Sequence, residues 1–217
     1  MSIQPEVRVS ELPDTPYNLW LRGELDDFVD APEGSRIEVI GGQVVVSPPP
    51  SFPHNTIVDD ITVAVVRARV TDPDFPWRTN QGSGMSLVCI GEGYIPDLVI
   101  LEAKVYEAAR RDEVLRLVPD QVELVVEVTS PSNAVTDRRP SERRADRKWC
   151  AYAIAEIPYY LLVDRSPKMP RTTLYSIPDQ ATGAYLHQES WEFGETIHLP
   201  DPFGVDIETT EWRPWRK

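Results

Sequence analysis

Tyr94-Ile-Pro-Asp-Leu-Val-Ile-Leu101 and Val122-Glu-Leu-Val-Val-Glu-Val-Thr129 decide the fold and point to the site. Each is a short, largely aliphatic run, which reads as a strand buried on both faces. Each also holds a carboxylate inside that run, Asp97 in the first and Glu127 in the second. A carboxylate is almost never fully buried without a partner, because removing its hydration costs several kcal/mol. Two such acids suggest one shared partner, and a divalent cation is the economical one. A metal-dependent phosphodiesterase site is therefore the leading expectation.

Outward from these strands the chain alternates helices and strands. Arg36-Ile-Glu-Val-Ile40 and Gln43-Val-Val-Val-Ser47 flank Gly41-Gly42, a β-hairpin signal, and Pro48-Pro-Pro50 stops the second strand. His54 to Val70 reads as a helix with an apolar stripe at Ile57, Ile61, Ala64, Val65 and Ala68, ended by Pro73 and Pro76. Trp77–Asn80 and Met85–Ile90 read as strands around the Gln81–Gly84 turn, and 103–121 as a helical or irregular excursion. After the Glu127 strand and the Ser130–Asn133 turn, a helix is expected over Ser141–Ala155, then a buried strand at Tyr159–Asp164. Arg171–Ile177, Ala184–His187 and Thr196–Leu199 read as weaker, antiparallel, peripheral strands. The pattern predicts an α/β fold, a mixed, curled β-sheet flanked by helices with peripheral β-hairpins. One domain is expected over 35–208, with 1–34 as an N-terminal arm carrying a short helix around Leu19–Val29, and 209–217 as a C-terminal tail.

The totals restrict function. Among 217 residues, 41% are hydrophobic and 26% charged, enough for a core and ordinary for a soluble protein. No apolar run approaches the ~20 residues that span a bilayer, and the N-terminus lacks a signal-peptide pattern, so a cytoplasmic protein without membrane contact is expected. Cys89 and Cys150 read as reduced core thiols. A net charge of −13 argues against a broad nucleic-acid-binding surface. It leaves room for an enzyme whose cation and local basic groups offset the field. Positive charge is clustered in Arg138, Arg139, Arg143, Arg144, Arg147 and Lys148. With Glu142 and Asp146, that cluster also reads as a solvated helix face.

The order of several motifs resembles the Uma-type "putative restriction endonuclease" proteins of the PD-(D/E)XK nuclease superfamily. They are Ile37–Pro49 with the following His54, Ile95-Pro-Asp-Leu-Val-Ile100, Leu124–Ser132, Asp137, Lys148-Trp-Cys-Ala-Tyr-Ala153 and Ile157–Asp164. The resemblance implies a restriction-endonuclease-like fold whose strand ends present Asp97 and Glu127 to Mg²⁺ or Mn²⁺, with the Val128 carbonyl as a third oxygen. It implies a nucleic-acid substrate, DNA for preference, and a homodimer. Such nucleases often carry a lysine two residues after the glutamate. Here Thr129 stands there, and Lys148 is the candidate replacement. Glu38 corresponds to a family acid, and His54 would lie at a helix start near the site. Asp137 and Lys148 are set apart by Arg138–Ala145, which looks like an insertion that either displaces the lysine or brings basic groups to phosphate. Tyr152 reads as core packing and Asp164 as a strand end. Thr129 and the acidic charge also support a second reading, a catalytically silent nuclease-like fold that binds nucleic acid or protein.

Overall fold

A computed structural model describes residues 8–9, 13–144 and 146–216. The remainder of the expected N-terminal arm, Ala145 of the arginine-rich stretch and Lys217 lie outside the described residues.

The strands in chain order are β1 (8–9), β2 (29–30), β3 (36–40), β4 (43–47), β5 (77–80), β6 (84–87), β7 (92–94), β8 (98–102), β9 (116–117), β10 (124–128), β11 (159–164), β12 (171–179), β13 (184–192), β14 (197–199) and β15 (205–207). The helices are α1 (16–22), α2 (52–71), α3 (103–111), α4 (134–137) and α5 (148–154). The main sheet runs β13-β12-β11-β10-β8-β5, with β10 and β11 parallel and the other neighbours antiparallel. A second sheet runs β4-β3-β7-β6-β9. The expected mixed α/β architecture with flanking helices is the one observed.

The two quoted runs sit at the centre. β8 and β10 pair antiparallel, with Leu98 opposite Val126 and Ile100 opposite Leu124. Their side chains alternate between two cores. Leu98, Ile100, Leu124, Val126 and Val128 face α2, burying Ile57, Ile61 and Val65 of its predicted stripe. Val99, Leu101 and Val125 face α5 and the buried Met85, Leu87 and Tyr94 of the second sheet. Glu127, two residues beyond Val125, continues the α5 face. Gly41 and Gly42 take φ of 61° and 73°, so the two central turn positions have the left-handed backbone of a tight hairpin.

Several expectations are corrected. The helix predicted over Ser141–Ala155 forms only as Lys148–Ile154, after the short α4. The arginines of the stretch are engaged in other ways, some by groups outside it and two by the local Asp146. Arg138 makes a bidentate pair with Asp164. Arg139 lies over the Trp149 ring, and Arg143 donates to the Ala181 carbonyl. Arg144 and Arg147 both pair with Asp146. Cys150 is buried as expected, whereas Cys89 is exposed in the turn after β6. β12 and β13 lie antiparallel at one edge of the main sheet, as expected, but run longer than expected, nine residues each. Trp212 is buried and donates to Asp60 on α2. Among the described residues no helix is long and apolar enough to cross a membrane.

Near the N-terminus, α1 is fixed by Trp20, whose indole N–H donates to the Ile37 carbonyl. The ring lies flat against Gly93 of β7, where an added Cβ would stand 2.3 Å from Cε3. Only the missing side chain allows that approach. Gly93→Ala is expected to destabilise the protein by about 2 kcal/mol or more, read as a lower denaturant midpoint at unchanged slope. An unaltered midpoint would show that Trp20 gives way freely.

Candidate active site

Five predicted residues converge where the two sheets meet. Glu38 comes from β3, His54 from the first turn of α2, Asp97 from the residue before β8, Glu127 from β10 and Lys148 from the start of α5. All five are buried, at 2–4% exposure for every one but Glu127 at 1%. The arginine-rich stretch does not displace the lysine. Lys148 Nζ lies 3.0 Å from Glu127 Oε1 and 2.8 Å from Glu38 Oε1, with the Tyr94 ring 5.6 Å away. Its role in the structure is thus reached from a helix rather than from the strand position after Glu127. Thr129 occupies that strand position, where its hydroxyl accepts from the Arg165 N–H and ties β10 to the end of β11.

Each acid is held by a different set of donors. Glu127 Oε1 also accepts from the Tyr152 hydroxyl at 2.6 Å. Glu38 Oε1 accepts from the Ile95 N–H at 2.8 Å. Asp97 Oδ2 accepts from the Val128 N–H at 2.7 Å, and its Oδ1 is hydrogen-bonded by the Arg36 guanidinium. His54 Nε2 stands 2.9 Å from the same Oδ1, but off the axis of a hydrogen bond. Among the chain's own cations, Arg36 stands beside Asp97 and Lys148 beside Glu127.

Sequence reasoning missed Arg36, Tyr152 and Asp137 as members of this cluster. Arg36 had a usable signal, since it precedes Glu38 by two on one strand and shares its face. Tyr152 follows Lys148 by four on one helical face, which brings both to Glu127. Asp137 is wholly buried at the end of α4, and its Oδ2 has no partner among the described residues.

Charge is unbalanced here. Burial pushes the Glu127 carboxyl up to about 7; Lys148 pulls it back, and Asp97 and Glu38 push it further up. Burial, with the charge of Glu127 beside it, raises Asp137 well above the usual carboxylate range. Asp97 is the exception. Burial raises it, but His54, Arg36 and the Val128 N–H outweigh that and bring it to about 2. Burial alone would lower Lys148, yet Glu127 and Glu38 hold its ammonium above the ordinary lysine value. The direction for the Lys148–Glu127 pair is set by the excess of carboxyl groups, which favours a charged lysine and penalises a second unneutralised carboxylate.

A cavity of about 540 Å³ opens onto this cluster. Arg36, Glu38, His54, Glu127 and Lys148 line it, Ser47–Ser51 form one wall and Ser130–Asn133 the other. Asp97 does not line it, because Arg36 and His54 stand on its exposed side. No arginine from 138 to 147 lines it either, so the stretch supplies no basic patch there.

Two stability tests follow from this geometry. Lys148→Met leaves two buried acids without their cation and is expected to cost about 3–5 kcal/mol, read by denaturant unfolding. Adding Glu127→Gln should recover part of that loss; a double variant as unstable as the sum would show the pair is uncoupled. Asp97 is lowered from 3.8 to about 2, so its ionised form stabilises the fold above pH 3.8, and that contribution of about 2 kcal/mol is lost as pH falls toward 2. With chelator present, the unfolding midpoint of the wild type should fall more steeply across that window than that of Asp97→Asn. Parallel slopes would contradict the ion pair.

The comparisons with known proteins bear on the fold and the family. The chain is similar to the crystal structure of "a putative nuclease belonging to DUF820 from Anabaena variabilis ATCC 29413". Identity is 15% and the TM-score 0.60, over 92% of this chain and 99% of that one. At that identity the likeness establishes a shared fold. No curated protein matches. The Uma2 family, described as "Putative restriction endonuclease", matches residues 25–211, a span that holds the hairpin, both acid-bearing strands and the lysine helix. The chain belongs to the Uma2 family.

Proposed function

We propose that the protein is a metal-dependent endonuclease that hydrolyses phosphodiester bonds in DNA. The observation that carries this reading is the convergence of Glu38, His54, Glu127 and Lys148 on the floor of one cavity, with Asp97 directly behind. An enzyme acting on a phosphodiester needs hard-cation ligands, a cation aimed at the phosphate and a polar group within reach of water. This floor has the side chains for each.

The residues fit Mg²⁺ or Mn²⁺ by their chemistry. Asp97, Glu127 and the Val128 carbonyl would hold the ion, all through oxygen. Among the described residues no three His, Cys, Asp or Glu side chains stand together at metal-ligand spacing. Mg²⁺ suits that, since it binds through one or two carboxylates and keeps several waters. The surplus of buried carboxyl groups, with Glu127 and Asp137 held above their ordinary range, is what an added divalent charge would relieve. When bound, the ion supplies a more acidic water and neutralises charge on the phosphate.

The chain's own groups do the rest. Tyr152 and Lys148 both engage Oε1 of Glu127, which fixes the carboxylate and leaves Oε2 for a ligand. Lys148 stabilises negative charge as the attacking water adds to phosphorus, and Glu38 holds its ammonium in place. His54, at the cavity wall, contacts the phosphate or the water. The P–O bond breaks in line with attack, yielding a phosphomonoester and a hydroxyl that takes the proton. Cutting both strands of a duplex requires two such sites, which a homodimer would provide.

A second reading, a nuclease-like fold that binds nucleic acid without cutting it, is favoured by one observation: both oxygens of Asp97 are already engaged by donors. Nicking of supercoiled plasmid separates the two. With Mg²⁺ the wild type is expected to nick, EDTA to stop it, and Asp97→Asn and Glu127→Gln each to slow it about a hundredfold, ~2.7 kcal/mol in barrier. Equal nicking by all three proteins would mean a contaminant, and no nicking by the wild type would favour the binding module.

A further inference from the structure

We propose that Arg36 is a phosphate-binding residue that exchanges its partner, leaving Asp97 for the substrate when a divalent cation takes Asp97. The inference rests on the nuclease reading and extends it to how cation and substrate depend on one another.

Three observations support it. Asp97 Oδ2 is tied to the Val128 N–H within the sheet, so Oδ1 is the oxygen through which Asp97 can take a ligand. The Arg36 guanidinium is bonded to that Oδ1 and stands between it and the cavity, which Arg36 lines and Asp97 does not. A divalent ion and a guanidinium at one buried carboxylate oxygen repel each other and so compete for it. Cation entry therefore expels Arg36.

Where Arg36 goes is set by its exposure and its chemistry. Its side chain is 22% exposed, whereas those of Lys148 and His54 are 3% and 5% exposed. Lys148 is further held by two carboxylates. Of these three, Arg36 is the one on a long chain with an open side. The cavity that it lines is where the phosphodiester must lie, and a planar guanidinium matches two phosphate oxygens at once. Expulsion by the cation thus delivers a phosphate ligand. By linkage, substrate must tighten cation binding as much as cation tightens substrate binding.

Calorimetric titration of Mn²⁺ tests this, with and without a phosphorothioate oligonucleotide that resists hydrolysis. Arg36→Gln removes the competitor and is expected to bind Mn²⁺ about tenfold tighter than the wild type, ~1.4 kcal/mol. It should bind the oligonucleotide more weakly and lose the tightening of Mn²⁺ by oligonucleotide that the wild type shows. Arg36→Lys keeps the charge but not the bidentate fork. Its Mn²⁺ affinity should stay near the wild-type value while the coupling shrinks, so it carries the test if Arg36→Gln does not fold. Mn²⁺ binding by Arg36→Gln no tighter than the wild type, or coupling undiminished in either variant, would overturn the exchange. If the wild type binds no Mn²⁺ at all, the metal reading fails and the exchange falls with it, an outcome distinct from the other two.

Discussion

The buried contact between Lys148 and the carboxylates of Glu38 and Glu127 is the constraint on which the site depends. It joins three elements distant in sequence, β3 of the smaller sheet, β10 of the main sheet and α5. A buried ion pair gains little over apolar packing, but losing one partner strands a charge in a medium that cannot solvate it. The helix, the hairpin and the central strand are therefore held in register by a charge that none of them can release singly. Tyr152, in edge contact with Tyr94, adds a hydroxyl to the same oxygen of Glu127 and so couples the aromatic core to the acid.

That constraint explains how a threonine can follow Glu127 by two residues. The ammonium arrives from the first turn of α5, leaving Thr129 to link β10 with β11. Asp97 is managed separately, through Arg36, His54 and a backbone N–H. The outcome is two acids on opposite sides of a charge imbalance, one held ionised to low pH and the other pushed toward neutrality.

Local signals were legible. The Gly41-Gly42 turn is set by backbone freedom at two positions, and the α2 stripe by a 3.6-residue period, so both were found where expected. The arginine-rich stretch was misread because its charges at i,i+4 imitate a solvated helix. Arg138 and Arg143 instead reach Asp164 and the Ala181 carbonyl, which are remote in sequence, while Arg144 and Arg147 pair with neighbouring Asp146. Arg36 carries no assignment and Tyr152 reads as core packing for the same reason: each looks like an ordinary strand or helix residue until the acid that it meets is known. Apolar neighbours in sequence suggest a core thiol at Cys89, but it falls in a turn that the strand period does not locate.

By itself the sequence determined which residues are chemically out of place: carboxylates in apolar strands. Periodicity and charge in an apolar run are properties of the chain and survive any folding. What only the tertiary structure decided is how those charges are paired. Pairing depends on the crossing of two sheets and on side-chain reach over a few ångströms, where the Coulomb energy changes steeply with distance and burial. That is why Asp97 and Glu127, alike as carboxylates within apolar runs, end with different counter-ions and opposite acidities.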